Sequence, residues 1–151
     1  MKTSLICILF ICFGILSCQN QRKVAFKHSS VIGNKEKITT IYLRIPKGYK
    51  YSGIKADAES GLENQYRFAD SSVIYLTDFV GTINASIIND NQLDYNKRFS
   101  ADTAIFKGVM KNGKYWKEVK YFNLFYGYYD VPLISKDKYD RILNKIEIRE
   151  K

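Results

Sequence analysis

Two stretches rich in aromatic and β-branched residues, Thr103 to Lys111 and Lys114 to Phe122, flank the dipeptide Asn112-Gly113. Asn-Gly suits a type I′ turn because both central residues of that turn need φ above zero, and such a turn matches the twist of the strands it joins. A β-hairpin is therefore expected here, and it commits the second half of the chain to antiparallel sheet. The aromatic run Phe122 to Tyr129 continues or follows that hairpin, with Gly127 marking a bulge or a close backbone approach. Twelve tyrosines and nine phenylalanines in 151 residues support the same reading, since flat rings pack well on a pleated surface.

Further strands are read upstream. Ile38 to Ile45 places Ile41, Leu43 and Ile45 on one face and ends at Pro46-Lys47-Gly48. Tyr66 to Ala69 and Ser72 to Asp78 pair through a turn at Asp70-Ser71, and Val80 to Ile88 carries Ile83, Ala85 and Ile87 on one face. Asn89-Asp90-Asn91-Gln92 ends that stretch with side chains that compete for backbone hydrogen bonds. Between them, Ile54 to Glu59 is read as a helical turn. Near the C-terminus Ser135 is placed to cap a helix. Tyr139, Ile142, Leu143 and Ile146 follow at i, i+3, i+4 and i+7, one helical face to lie on the sheet. Residues Ile146 to Ile148 then leave as a short last strand. The expected fold class is α+β, an antiparallel β-sheet with a C-terminal helix packed on it. Ile41-Tyr-Leu-Arg-Ile-Pro-Lys-Gly48, the Tyr66 to Leu76 hairpin and the closing Tyr139 to Ile148 segment resemble the PsbP-like sheet-and-helix fold.

The N-terminus has a different character. Lys2 precedes an apolar run of twelve residues, Leu5 to Leu16, which closes in Ile15-Leu16-Ser17-Cys18 and meets polar Gln19-Asn20-Gln21-Arg22-Lys23. A charged start, a short apolar core and a small residue before the cut describe a secretory signal. As a helix the run spans only about 18 Å, too short for a hydrocarbon core of about 30 Å. Its last four residues resemble the lipobox of bacterial lipoproteins. That resemblance implies cleavage before Cys18, diacylglycerol on its thiol and a new N-terminus held to the membrane by acyl chains. Gln19 in place of Asp after the cysteine resembles an outer-membrane address. The implied organisation is a signal peptide over 1–17, a lipidated N-terminus and tether over 18–36, and one β-rich domain over 37–151. Cys7 and Cys12 leave with the leader, so Cys18 is the sole remaining cysteine and no internal disulfide can form.

Few catalytic patterns survive inspection. His28 is the only histidine and lies in the expected tether, where a solvated side chain is the plain reading; triads and imidazole metal sites need a histidine held on a rigid scaffold. A calcium loop begun at Asp90 would need Gly at its sixth position and Glu at its twelfth, but Tyr95 and Ala101 stand there. Asp57, Glu59 and Glu63 cluster after Pro46, yet their spacing does not demand acid–base chemistry, and Lys50, Lys55 and Arg67 balance them. No catalytic residue, metal or cofactor is assigned, and the chain is read as a non-enzyme.

Of the net charge of +9, Lys2 carries one unit away with the leader, leaving +8. The cations are dispersed along the chain, and nucleic acid is not expected as a partner of an exported protein. A basic target such as a cationic lysozyme would be repelled. The most suggestive residues are aromatic: core rings on one sheet face and cross-strand pairs on the other are the commoner explanation, and Tyr115, Trp116, Tyr121, Tyr126 and Tyr128 are the candidate binding surface if their rings reach solvent. The functional expectation is a lipid-anchored cell-envelope protein, a non-catalytic interaction or structural module meeting an envelope protein partner. The alternative is a module that binds a glycan or small ligand on the aromatic sheet face.

Overall fold

The computed structural model describes residues 20–32, 34–55, 61–78 and 94–151. Among the described residues, nine strands form two antiparallel sheets. The smaller joins β1 (Gln21–Ile32), β2 (Lys35–Pro46) and β9 (Glu147–Glu150) in the order β1-β2-β9. The larger joins β3 (Lys50–Lys55), β4 (Leu62–Arg67), β5 (Val73–Thr77), β6 (Thr103–Val109), β7 (Tyr115–Tyr121) and β8 (Leu124–Val131) in the order β3-β4-β5-β8-β7-β6. A short helix α1 (Tyr95–Ser100) precedes β6, and a second helix α2 (Lys136–Leu143) precedes β9. The α+β class expected from the sequence is the class observed.

Period-two alternation builds the main core. Ile41, Leu43 and Ile45 of β2 turn inward with Val24 and Phe26 of β1, and they meet Ile74, Leu76, Leu124, Tyr126 and Tyr128 of the larger sheet. Tyr139, Ile142 and Leu143 of α2 complete this cluster. Burying a side chain of this size contributes about 1.5–3 kcal/mol, which is how a helix of only eight residues is held in place. The opposite face of the larger sheet has its own cluster of Tyr75, Ala104, Phe106, Met110 and Trp116. The centre of that sheet is thus buried on both faces, and every residue of β5 is buried.

Several local expectations are corrected. The stretch expected as a tether over 18–36 contains β1, which pairs with β2 from Gln21↔Pro46 to Ile32↔Lys35, so the domain takes in the chain from Gln21 onward rather than from residue 37. An edge strand with one neighbour needs only a sparse apolar pattern, and Val24 and Phe26 supply it. Ile54 and Lys55, expected in a helical turn, lie in β3; the rest of that turn, 56–59, including Asp57 and Glu59, falls outside the described residues. So do Val80 to Ile88 and the polar turn at 89–92. Helix α1 has no apolar periodicity to announce it; its N-cap, Asp94, accepts from the Lys97 amide at 3.0 Å. Ser135 does stand at the N-cap of α2, but a 3-10 turn over Leu133–Ser135 leads into the helix and the Ser135 side chain makes no capping bond.

The Asn112-Gly113 hairpin forms with a different turn. Only Gly113 of the pair has positive φ (+80°), the Gly113 amide donates to the Met110 carbonyl at 2.9 Å, and the Met110 amide donates to the Lys114 carbonyl at 2.7 Å. That is a three-residue loop, a type I turn followed by a left-handed residue. The Asn112 side chain selects it by accepting from the Lys114 amide at 3.0 Å and donating to Asp130 at 2.9 Å. The β4–β5 turn repeats the architecture: Ser71 donates its amide to Phe68, Phe68 donates to Ser72, and Asp70 accepts from the Ser72 amide. Here the left-handed position is Ser71, at φ +70°. An L-residue in that region costs about 1–2 kcal/mol, and the extra freedom of an unfolded glycine cancels about 0.5–1 kcal/mol of the relief. Ser71→Gly is therefore expected to stabilise the fold by about 0.5 kcal/mol, seen as a higher urea midpoint at unchanged m-value.

Candidate functional site

The aromatic set singled out from the sequence divides between the two faces of the larger sheet. Trp116 is buried in the Tyr75 cluster, while Tyr126 and Tyr128 are buried in the main core; Tyr115 and Tyr121 are half-buried. Ordinary strand alternation places Trp116 on the face opposite Tyr115 and Lys117. The five residues therefore do not form one continuous surface. Tyr115, Trp116 and Tyr128 do line a groove of about 460 Å³ between β6, β7 and α2. Its polar end is Asp140, which accepts from Lys117 at 2.9 Å, Lys136 at 2.8 Å and Tyr128 at 3.1 Å. Burial pushes the Asp140 carboxyl up, but the bonds from Lys136 and Lys117 outweigh it and hold the group below the usual carboxylate range. The Tyr128 phenol is raised by its burial and then by Asp140.

The strongest convergence of unusual features lies elsewhere, around the histidine that the sequence placed in a tether. His28 sits on β1, and its Nδ1 meets Oδ2 of Asp78 at 2.8 Å, joining the smaller sheet to the end of β5. The Asp78 carboxylate also accepts from the Leu62 amide through Oδ1, which fixes its orientation. A carboxylate can only accept, so the imidazole proton resides on Nδ1 and Nε2 is left to offer a lone pair, or a second N–H when the ring is charged. Nε2 is buried and has no hydrogen-bond partner among the described residues. A buried polar atom left unmatched costs about 1–3 kcal/mol, so a position like this calls for a partner.

His28 lines a cavity of about 210 Å³ together with Ser30, Thr39, Tyr121, Phe122 and Leu124. On its far side Glu150 pairs with Lys37 at 3.0 Å and accepts from the Tyr121 hydroxyl at 3.2 Å; burial and then Glu150 raise the Tyr121 phenol. Apolar residues stand at the mouth: Val31 and Phe122 are both exposed. Phe122 occupies the first position of the two-residue β7–β8 turn with φ at +50°, a place that favours glycine. Its ring packs edge-on against Tyr121, centroids 5.0 Å apart, with Lys37 5.6 Å from its centre. Bulky residues in the left-handed region persist where something other than folding retains them. Phe122→Gly is accordingly expected to leave stability within about 0.5 kcal/mol of the wild type or raise it by up to about 1 kcal/mol, as strain relief offsets the lost ring contact. A loss above about 1.5 kcal/mol in urea denaturation would show that the ring serves folding instead.

Other chemistry is less developed. Glu63, grouped from the sequence with Asp57 and Glu59, is buried on β4 and bonded by Gln65. Among the described residues no group of three or more His, Cys, Asp or Glu is arranged to hold a metal ion. No helix of the described residues is long and apolar enough to cross a membrane. Spacing along the chain could not have revealed the His28 site, because Asp78 lies fifty residues away. No family model, curated protein or solved structure matches the chain.

Proposed function

We propose that this chain is a lipid-anchored protein of the cell envelope whose domain acts as a non-catalytic interaction module, engaging a protein partner through the His28 cavity. Cys18 carries the acyl chains in this reading, and the outer membrane is the expected address. The observation that carries the interaction site is the unmatched, buried Nε2 of a histidine whose other nitrogen is clamped by Asp78. At about 210 Å³ the cavity is smaller than the usual small-ligand pocket of about 300–1,000 Å³, and suits one or two partner side chains bearing a hydrogen-bond donor beside an apolar group. Binding is favoured over catalysis because Ser30, on the same face of β1, directs its hydroxyl to the Lys37 carbonyl at 3.5 Å rather than to the imidazole.

The test is a photoreactive residue introduced at Asn123, on the cavity rim, in cells carrying either Cys18 or Cys18→Ser. One specific envelope protein captured from the rim, only with the cysteine intact, and lost with His28→Ala, is the expected result. Equal capture by a control probe at the exposed Lys111 would count against the site. Mass spectrometry of the mature N-terminus settles acylation independently.

A second reading, a glycan or small-ligand module, draws on the roomier groove lined by Tyr115, Trp116 and Tyr128. A glycan screen that registers a hit abolished by Tyr115→Ala and indifferent to His28→Ala would favour it.

A further inference from the structure

The described chain begins at Asn20, whose carbonyl accepts from the Lys47 amide at 2.9 Å. Asn20 also lines a groove of about 420 Å³ between the start of β1, the end of β2 and helix α2. Four cations line that groove, Arg44, Lys138, Arg141 and Lys145, with no carboxylate among its lining residues. Lys138 and Arg141 stand at i and i+3 on α2, beside the stripe of Tyr139, Ile142 and Leu143 that it buries, and Lys145 follows just past its C-cap Asn144. All four are exposed, and none is ion-paired to an acidic side chain among the described residues. Some lysines elsewhere are ion-paired. Lys23 pairs with Glu147, Lys37 with Glu150, and Lys117 and Lys136 with Asp140.

We infer that this groove is a docking surface for the phosphate headgroups of anionic phospholipids, so that the domain rests on the membrane with its anchor end down. The inference rests on the reading of Cys18 as the lipidated residue. Cys18 is two residues from Asn20, and two residues of chain reach at most about 7 Å. Acyl chains on that cysteine hold the groove within a Debye length, about 8 Å at physiological salt, of the headgroup layer. The His28 cavity then lies about 30 Å along β1 from the surface, with its mouth clear of lipid.

The experiment uses the mature protein purified from membranes, its N-terminal mass recorded, on vesicles of phosphatidylcholine alone or with one-third phosphatidylglycerol. Amine acylation is read at Lys138 and Lys145, with exposed Lys107 and Lys111 as internal controls. Protection of the first pair on phosphatidylglycerol vesicles only, abolished at 1 M salt, is the expected result. Equal labelling on both vesicles overturns the inference. Protection by millimolar inorganic phosphate without vesicles also overturns it, assigning the groove to a free anion. If the recorded mass lacks acyl chains, the anchor reading fails separately, and sedimentation of that same chain with phosphatidylglycerol vesicles decides the surface. Each surface cation contributes roughly five-fold to such binding, so Arg141→Glu/Lys145→Glu should lower the bound fraction's partition coefficient at least about tenfold. An unchanged coefficient overturns the assignment.

Discussion

Arg98→Met is expected to destabilise the protein by about 3–5 kcal/mol at neutral pH, the usual consequence of leaving one member of a buried ion pair alone. Arg98 of α1 and Glu118 of β7 are almost wholly buried. Nη2 donates to Oε2 at 2.9 Å, and Nε faces Oε1 at 2.8 Å, off-line for a hydrogen bond, so that second contact is ionic. The Tyr75 hydroxyl donates to the same carboxylate at 2.9 Å, and the guanidinium lies over the Phe125 ring at 5.2 Å. Burial raises the Glu118 carboxyl above its ordinary 4.5, and Arg98 is the foremost influence opposing the rise. The folded state therefore holds the Glu118 proton more tightly than the unfolded chain does. Its contribution to stability is largest below the unfolded pKa and is lost as pH climbs through the folded one. Removing Arg98 raises that folded value further and extends the loss toward higher pH. Urea midpoints of Arg98→Met should fall further below wild type at pH 8 than at pH 5. Adding Glu118→Gln, which keeps an acceptor for Tyr75 while discharging the site, should recover much of the deficit. Equal losses at the two pH values would show that the pair is not ionised in the folded protein.

Gly127→Ala should cost about 3 kcal/mol or more, the upper range for forcing atoms into a packed interior. The reason is space rather than backbone conformation. Gly127 lies between Tyr75 on one neighbouring strand and Glu118 on the other, and the Tyr75 ring crosses it to reach the carboxylate. A Cβ added there would stand 2.0 Å from the Lys117 carbonyl oxygen and 2.8 Å from the Tyr75 hydroxyl. The carbonyl belongs to a hydrogen-bonded strand and cannot swing aside. Tyr75→Phe in the same chain should therefore fail to rescue the variant. Gly48 supplies the contrast: it has φ at +87° and open space around it, so Gly48→Ala should cost only the left-handed penalty of about 1–2 kcal/mol. Denaturant midpoints of the three variants give the comparison. A Gly127→Ala chain as stable as Gly48→Ala would mean that β7 and β8 yield at this point.

Legibility followed the strength of the periodic pattern. Ile41, Leu43 and Ile45 alternate without interruption, and Tyr139, Ile142 and Leu143 share a helical face; both stripes turn inward as their spacing requires. Gly127 announced a close approach, and the partners that crowd it became visible only with the sheet assembled. The polar sequence Gln21 to Ile32 concealed a twelve-residue strand because β1 is an edge with one neighbour, whose inward face is carried by Val24 and Phe26. Losing that strand also lost His28, whose meaning depends on a carboxylate brought from the far end of β5. The aromatic set divides between the two faces for the converse reason. A sheet buried on both faces gives rings a core to enter in either direction, so abundance of tyrosine did not imply a tyrosine surface.

The course of β1 also decides how the domain bears tension. With the proposed anchor at Cys18 and the proposed partner in the His28 cavity, a pull would enter at the Gln21 end of β1 and leave near its other end, so the load would run along the strand. The β1–β2 rungs, from Gln21↔Pro46 to Ile32↔Lys35, lie across that line, so load passed on to β2 would meet them together in shear instead of parting them one by one as a zipper would. A domain tethered and gripped in that way would be loaded in its stiffest direction.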